Sequence, residues 1–160
     1  MHLLLIRHAQ AAEQDAERYP DDVLRPLLPR GRKIHRRMSR RLVKLGLVPA
    51  RIFSSPWKRA WQTAGITAEE TGIGRERRLP CGALAAPPDL AELAIEIGAV
   101  RPEETIALVG HEPWMSGLAA LLLVGSTSGL RVEFPKSGVM GIEAPGFEAG
   151  RGTLVFFLTP

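Results

Sequence analysis

Two stretches of the chain are apolar without alternation. Leu3 to Ile6 is an unbroken aliphatic run, and Thr105 to Val109 is a second, β-branched one. A strand buried on both faces shows no period of two, so both read as central strands of a covered sheet. Arg51 to Ser54 reads as a shorter strand. Elsewhere the period is helical. Over Gly31–Leu45 the residues Ile34, Met38, Leu42 and Leu45 fall on one face, arginines take the others, and Gly46 supplies the stop. Ser55 is expected to cap a second helix, with Pro56 at its first position; Trp57, Ala60, Trp61 and Ala64 lead toward Glu70, and Gly72 ends it. A third helix is expected over Asp89–Ile97, with Leu90, Leu93, Ala94 and Ile97 inward, and a fourth over Pro113–Val124. Gln10–Pro29 reads as a long loop and Leu79–Pro88 as irregular. Arg131–Phe134, Val139–Ala144 and Thr153–Leu158 read as three late strands between Gly and Pro turns. Strand–loop–helix units followed by strands predict a three-layer α/β/α fold. Its central sheet is mostly parallel, with an antiparallel edge strand.

Composition narrows this. With 160 residues, 45% hydrophobic and 24% charged, residues 1–160 are expected to form a single soluble domain with a substantial core. The opening MHLLLIRH is too short for a signal peptide, and Leu118–Val124 is far short of a membrane span. No membrane partner is expected, and the cytoplasm is the default compartment. The one cysteine, Cys81, excludes an internal disulfide or a cysteine-rich metal site. The net charge of +4 is unevenly spread: Arg25 to Lys44 holds nine Lys/Arg and no Asp/Glu, against 12 basic and 17 acidic residues in the remainder. That segment is either a solvated helix face or a landing strip for an acidic or phosphorylated partner. No aromatic residue is interleaved with its charges, so nucleic acid is not expected.

Three expected strands each end in a polar motif. The first yields Arg7 and His8, the second SSPWKRAWQTA with Arg59 in the first turn of a helix, and the third VGHEPW with His111 just before a helix. In an open α/β sheet, ligands bind beyond the carboxyl ends of the strands, so the three motifs are expected to share one pocket. Singly, each has a structural explanation: a snorkelling arginine, a hydrogen-bonded histidine, a helix surface charge, a capping turn. Together, two arginines, two histidines and two helix starts describe a site for a phosphate or sulfate ion. His8, His111 and Glu112 are residue types that can ligate zinc. No HExxH-like pair is present and the two arginines would repel a cation, so no metal is expected.

The pieces LLLIRHAQA, RPLLPRGRK, IFSSPWKRAWQTA, ALVGHEPWMS and FPKSGVMGIE, in this order, resemble the histidine phosphatase superfamily with its phosphoglycerate-mutase-like fold. Within it they are similar to the small phosphohistidine phosphatases of the SixA type. The resemblance implies that His8 is a nucleophile that becomes phosphorylated, that Arg7 and Arg59 hold the phosphoryl oxygens, and that His111 donates to them. It implies that Arg25 reaches the same pocket. Ala9 stands at the superfamily's usual glycine, and Leu28 at a threonine whose hydroxyl is absent here. Lys136 and Ser137 in FPKSG are candidates for the pocket rim. No cofactor is implied.

The expected chemistry follows. His8 must attack as a neutral ring, and nearby arginines disfavour its cation. In-line attack spreads charge over three equatorial oxygens, and losing one contact to them is expected to cost about 3–4 kcal/mol. An alkoxide leaving group needs a general acid. The region LPCGALAAPPDLAELAIEI lacks the superfamily's familiar glutamate; Asp89 and Glu92 lie on an expected helix, and Glu112 is the remaining candidate acid, with a helix-start role as its alternative. The imidazole of a phosphohistidine leaves phosphorus more readily than an alkoxide does, which favours hydrolysis of a protein phosphohistidine, with a histidine phosphotransfer domain as one candidate partner. The alternatives are a small-molecule phosphomonoesterase using Glu112 or Glu92, and a non-catalytic phosphate-binding module.

Overall fold

Six strands form one sheet: β1 (His2–Arg7), β2 (Arg51–Ser54), β3 (Arg78–Pro80), β4 (Thr105–Gly110), β5 (Val139–Glu143) and β6 (Thr153–Leu158), in the spatial order β3-β2-β4-β1-β5-β6. The computed structural model describes residues 1–160. β1 pairs in parallel with β4, from His2 opposite Thr105 to Arg7 opposite Gly110. β2 lies parallel between β4 and β3. β5 alone runs the other way, between β1 and the edge strand β6. This is the mostly parallel sheet with an antiparallel edge that the pattern predicts.

The helices are α1 (Pro29–Lys44), α2 (Lys58–Thr71), α3 (Leu90–Ile97) and α4 (Trp114–Val124). The central strands supply a core to both faces, which is why they do not alternate. Leu4, Ile6, Ile52, Ala107 and Val109 pack with Met38 and Leu42 of α1 and Ala60, Ala64 and Ala68 of α2. Leu3, Leu5, Phe53, Ile106 and Leu108 pack with Leu93 and Ile97 of α3 and Met115 and Leu118 of α4. The layers are therefore α/β/α. No helix is long and apolar enough to cross a membrane.

Several local expectations are corrected. The inward face of α1 is Gly31, His35, Met38, Ser39 and Leu42; Ile34 is half-buried and Leu45 is 54% exposed. The face turns because α1 also packs on α2, where the Thr67 hydroxyl meets the His35 ring at 2.9 Å. A polar residue can then be buried where hydrophobic spacing favours Ile34. α2 starts at Lys58 rather than Pro56, and the Ser55 hydroxyl, which accepts from the Trp57 amide, also meets the His111 ring. Leu79–Pro88 contains the end of the edge strand β3 and a 3-10 turn over Gly82–Ala85. On α3, Asp89 caps the amides of Ala91 and Glu92, and Ala94 faces solvent. Arg131–Phe134 is not a strand. Phe134 is a core plug against Phe157, at 5.0 Å between ring centroids, and its carbonyl accepts from Arg7 rather than from a neighbouring strand.

The long loop Gln10–Pro29 is tied over the carboxyl ends of β1 and β2. Ala11 bridges Leu27, the Leu28 amide donates to the Gln10 carbonyl, and the Leu27 amide to Gln62 of α2. A Cβ on Gly31 would collide with that Gln10 carbonyl, so glycine lets α1 start directly against the loop.

Candidate active site

His8 continues the parallel ladder one residue past β1, its amide donating to the Gly110 carbonyl at 3.0 Å. Two side chains fix the turn that follows. Thr63 Oγ1 accepts from the Ala9 amide at 3.0 Å and donates to the Arg59 carbonyl at 2.7 Å, so the Arg7–His8 turn and the first turn of α2 are locked together. Ser137 donates its amide to the carbonyls of Arg7 (3.1 Å) and His8 (3.3 Å). Its φ of 65° is left-handed, a strained setting for a non-glycine residue that these contacts hold in place.

The His8 ring is buried, and its Nδ1 lies 2.7 Å from the Ala9 carbonyl oxygen. A carbonyl only accepts, so Nδ1 carries the proton and donates. Nε2 keeps its lone pair. Burial is the main cause that pushes the His8 pKa down to about 3; the Ala9 carbonyl works the other way, and Arg59, Arg7 and Lys136 push it further down. The arginines therefore reinforce a depression that desolvation begins.

His111 stands 5.1 Å from His8 between ring centroids, under a lid of Trp57 at 4.6 Å and Trp114 at 6.1 Å. Burial, then the neighbouring His8 ring and the charges of Arg59, Arg25 and Arg7, lower its pKa to about 2. Its Nε2 contacts the Ser55 hydroxyl at 2.8 Å, and its Nδ1 is buried without a partner. Arg59 points its guanidinium over the Trp57 ring, Cζ to centroid 4.6 Å.

The cations are held rigidly. Arg7 donates Nη1 to the Phe134 carbonyl at 2.6 Å, leaving Nε unpartnered. Arg59 Nη1 reaches the Asp22 carbonyl at 2.8 Å and Nη2 the Asp22 carboxylate at 3.1 Å. Arg25 reaches the same carboxylate with Nε at 2.8 Å, while its Nη1 donates to the Ala12 carbonyl at 2.8 Å. Burial works to raise the Asp22 carboxyl, but its bonds to Arg25 and the charge of Arg59 prevail and hold it below the usual carboxylate range. An anion already bridges two arginines here, which shows what the cluster attracts.

The remaining candidates sit as follows. Lys136 is exposed at the opening, its pKa lowered by partial burial and by Arg7 and Arg25. Ser137 is 1% exposed, so it supports from beneath through its backbone. Glu112 is half-buried; Ser116 donates to its Oε2 at 2.6 Å, Oε1 has no partner, and burial raises its pKa although Arg7 pulls the other way. Glu92 is exposed on α3. No group of three His, Cys, Asp or Glu side chains is arranged to hold a metal ion.

Asp22, Ser55 and Thr63 carry this geometry and were not among the residues expected to do so. Asp22 lies in the stretch expected to be a long loop, and Ser55 is expected to be a cap. Thr63 sits one helical turn after Arg59, a spacing that places it on the same face and was the one available signal.

Comparison with known proteins gives the family and the fold. Residues 3–79 match the model of the histidine phosphatase superfamily (branch 1). The chain is 33% identical over 166 residues to an uncharacterised protein of Picosynechococcus sp., covering 99% of this chain and 96% of that one. Its fold is similar to that of the protein histidine phosphatase SixA complexed with tungstate, with a TM-score of 0.83 at 24% identity over 100% of this chain and 97% of that one. It is also similar to mycobacterial glucosyl-3-phosphoglycerate phosphatase complexed with VO3, with a TM-score of 0.71 at 19% identity and 99% of both chains covered. The chain belongs to the histidine phosphatase superfamily and is a hydrolase of the phosphatase class.

Proposed function

We propose that this phosphatase hydrolyses a phosphohistidine displayed on a protein, through a phosphohistidine formed on His8. The observation that carries the reading is the His8 ring: neutral, with Nδ1–H committed to the Ala9 carbonyl and Nε2 free beside Arg7, Arg59 and His111. The Nε2 lone pair attacks phosphorus, the new N–P bond forms, and the bond from phosphorus to the substrate nitrogen breaks. A substrate imidazole protonated on its second nitrogen departs neutral, so the step draws no proton from an enzyme acid. Water then attacks the enzyme's phosphohistidine, its oxygen joins phosphorus, the N–P bond breaks, and phosphate leaves with the water's protons.

Arg7, Arg59 and Arg25 balance the equatorial charge. Asp22 shares two of these arginines and yields to, or moves beside, the incoming phosphoryl group. The Ser55 oxygen accepts from the Trp57 amide at 3.3 Å and retains one proton to give. Giving it to His111 Nε2 puts the ring proton on Nδ1, the atom left to donate to a phosphoryl oxygen.

One observation favours a second reading, a small-molecule phosphomonoesterase. Glu112 has an unpartnered carboxylate oxygen and a raised pKa, as an acid for an alkoxide would need. Turnover of a phosphohistidine protein against a panel of phosphate esters separates the two. The expected result is a large preference in kcat/KM for phosphohistidine and little change in Glu112→Gln. Preference for an ester, lost in Glu112→Gln, establishes the second reading instead.

A further inference from the structure

The structure sorts the nine basic residues between Arg25 and Lys44 into those it uses and those it leaves free. Arg25 is bound to Asp22. Arg36 and Arg40 pair with Glu69 and Glu70 of α2, at 3.0 and 2.7 Å in the shorter contacts. Arg32 is half-buried and stands apart from the exposed set. Arg30, Lys33, Arg37, Arg41 and Lys44 are all exposed, and none makes an ion pair or a side-chain hydrogen bond. They recur every three or four residues and so line one stripe of α1. At 1.5 Å per residue the stripe is about 21 Å long. It begins at the mouth of the active site, where Gly31 and Ile34 share a cleft of about 160 Å³ with Gln10, Lys136 and Ser137.

Five like charges on one helix stripe repel one another, and the helix has no acidic residue of its own to relieve them. A surface of opposite sign removes that repulsion when it binds. Anionic membrane is a poor fit, since the apolar side of α1 is spent on the sheet and α2. Nucleic acid is a poor fit too, since no aromatic side chain stands on the stripe.

We propose that this unpaired ridge of α1 is the docking surface for the protein substrate, and that the substrate is recognised by acidic residues on a helix beside its phosphohistidine. The inference rests on the reading of the protein as a phosphohistidine phosphatase, and names what delivers the phosphoryl group to His8. Arg36 and Arg40 take no part, because α2 already neutralises them.

The test uses a helical peptide with one histidine, flanked by glutamates at three- and four-residue spacing, and its counterpart with glutamines. Both are prepared unphosphorylated and phosphorylated on the histidine. The whole chain is compared with the variant Lys33→Gln/Arg37→Gln/Arg41→Gln, whose changes are solvent-exposed and remote from His8. Binding of the unphosphorylated peptides, read by fluorescence anisotropy, is expected to favour the glutamate peptide about tenfold at low salt. That preference is expected to shrink with added salt and to be lost in the triple variant. The triple variant should lose a similar factor in kcat/KM on the acidic phosphopeptide, mainly through KM, and none on the glutamine one. Equal binding of the two peptides by the wild type, or a preference that survives the triple substitution, overturns the proposal. So does ridge-dependent binding of duplex RNA or phosphatidylglycerol vesicles with none of the peptide. If ridge-dependent peptide binding is found but neither phosphopeptide is hydrolysed, the docking surface stands and the catalytic reading falls.

Discussion

Two buried histidine environments can be compared in this molecule. At the carboxyl end of the sheet, His8 and His111 are buried among arginines, at least one nitrogen of each unspent. Between α1 and α2, His35 is fully buried beside Thr67 with no cation among the causes of its shift. Thr67 Oγ1 donates to the Thr63 carbonyl and so accepts from His35 Nε2, leaving Nδ1 unpartnered in the packed interface. Both environments hold the ring neutral, and burial is the leading cause in both: the His35 pKa falls to about 4, that of His8 to about 3. A depressed histidine pKa therefore does not mark a nucleophile. The mark is the unspent nitrogen beside cations that can receive phosphoryl charge.

The largest effect that separates the two comes from removing each ring. His8→Ala is expected to lower kcat/KM by at least about 10³-fold and to abolish the phosphoenzyme trapped by rapid acid quench. His35→Ala is expected to keep that phosphoenzyme while losing about 2–3 kcal/mol of stability from the cavity, read by denaturant midpoint. A phosphoenzyme that persists in His8→Ala defeats the nucleophile assignment.

A second, smaller effect is pH-dependent stability. The folded pKa values of the three buried histidines lie below 6.5, so the unfolded chain binds more protons as pH falls. Stability is full above pH 6.5 and declines below it, down to about pH 4 for His35 and further for His8 and His111. Each contributes a slope of about 1.4 kcal/mol per pH unit in its window. His35→Gln is expected to flatten the slope between pH 6.5 and 4 by one proton's worth and to leave the pH profile of kcat/KM where it was; an unchanged slope refutes the buried-neutral assignment.

The smallest expected effect sharpens the site itself. Ser55→Ala removes the hydroxyl that orients His111, and is expected to lower kcat about tenfold with KM nearly unchanged. Ser55→Thr, which keeps the hydroxyl, should recover most of it. Equal loss in both variants would mean that packing, not the hydroxyl, matters at this position.

Much of this was readable before any coordinates. The two uninterrupted apolar runs became neighbouring central strands, and Arg51–Ser54 was found within its true limits. Arg7, His8, Arg59 and His111 meet because each lies at or shortly past the end of a strand, and those ends are on the same side of the sheet. What was misread has a common cause. Arg131–Phe134 looks like a strand because Val132 and Phe134 alternate with Arg131 and Glu133; only the finished sheet, whose edges are β3 and β6, leaves it no partner. Ile34 and Leu45 looked inward because a helix wheel counts hydrophobicity and does not see Thr67 across the interface.

The order of strands and helices, the buried runs and the identity of the charged groups are properties of residue type and spacing, and these are local enough to survive without a fold. Which serine turns toward His111, which carboxylate meets Arg59, and which cations of α1 are neutralised depend on partners 30 or more residues away. Hydrogen bonds and ion pairs are satisfied by whatever group the chain brings within reach, and only the folded molecule specifies that neighbour.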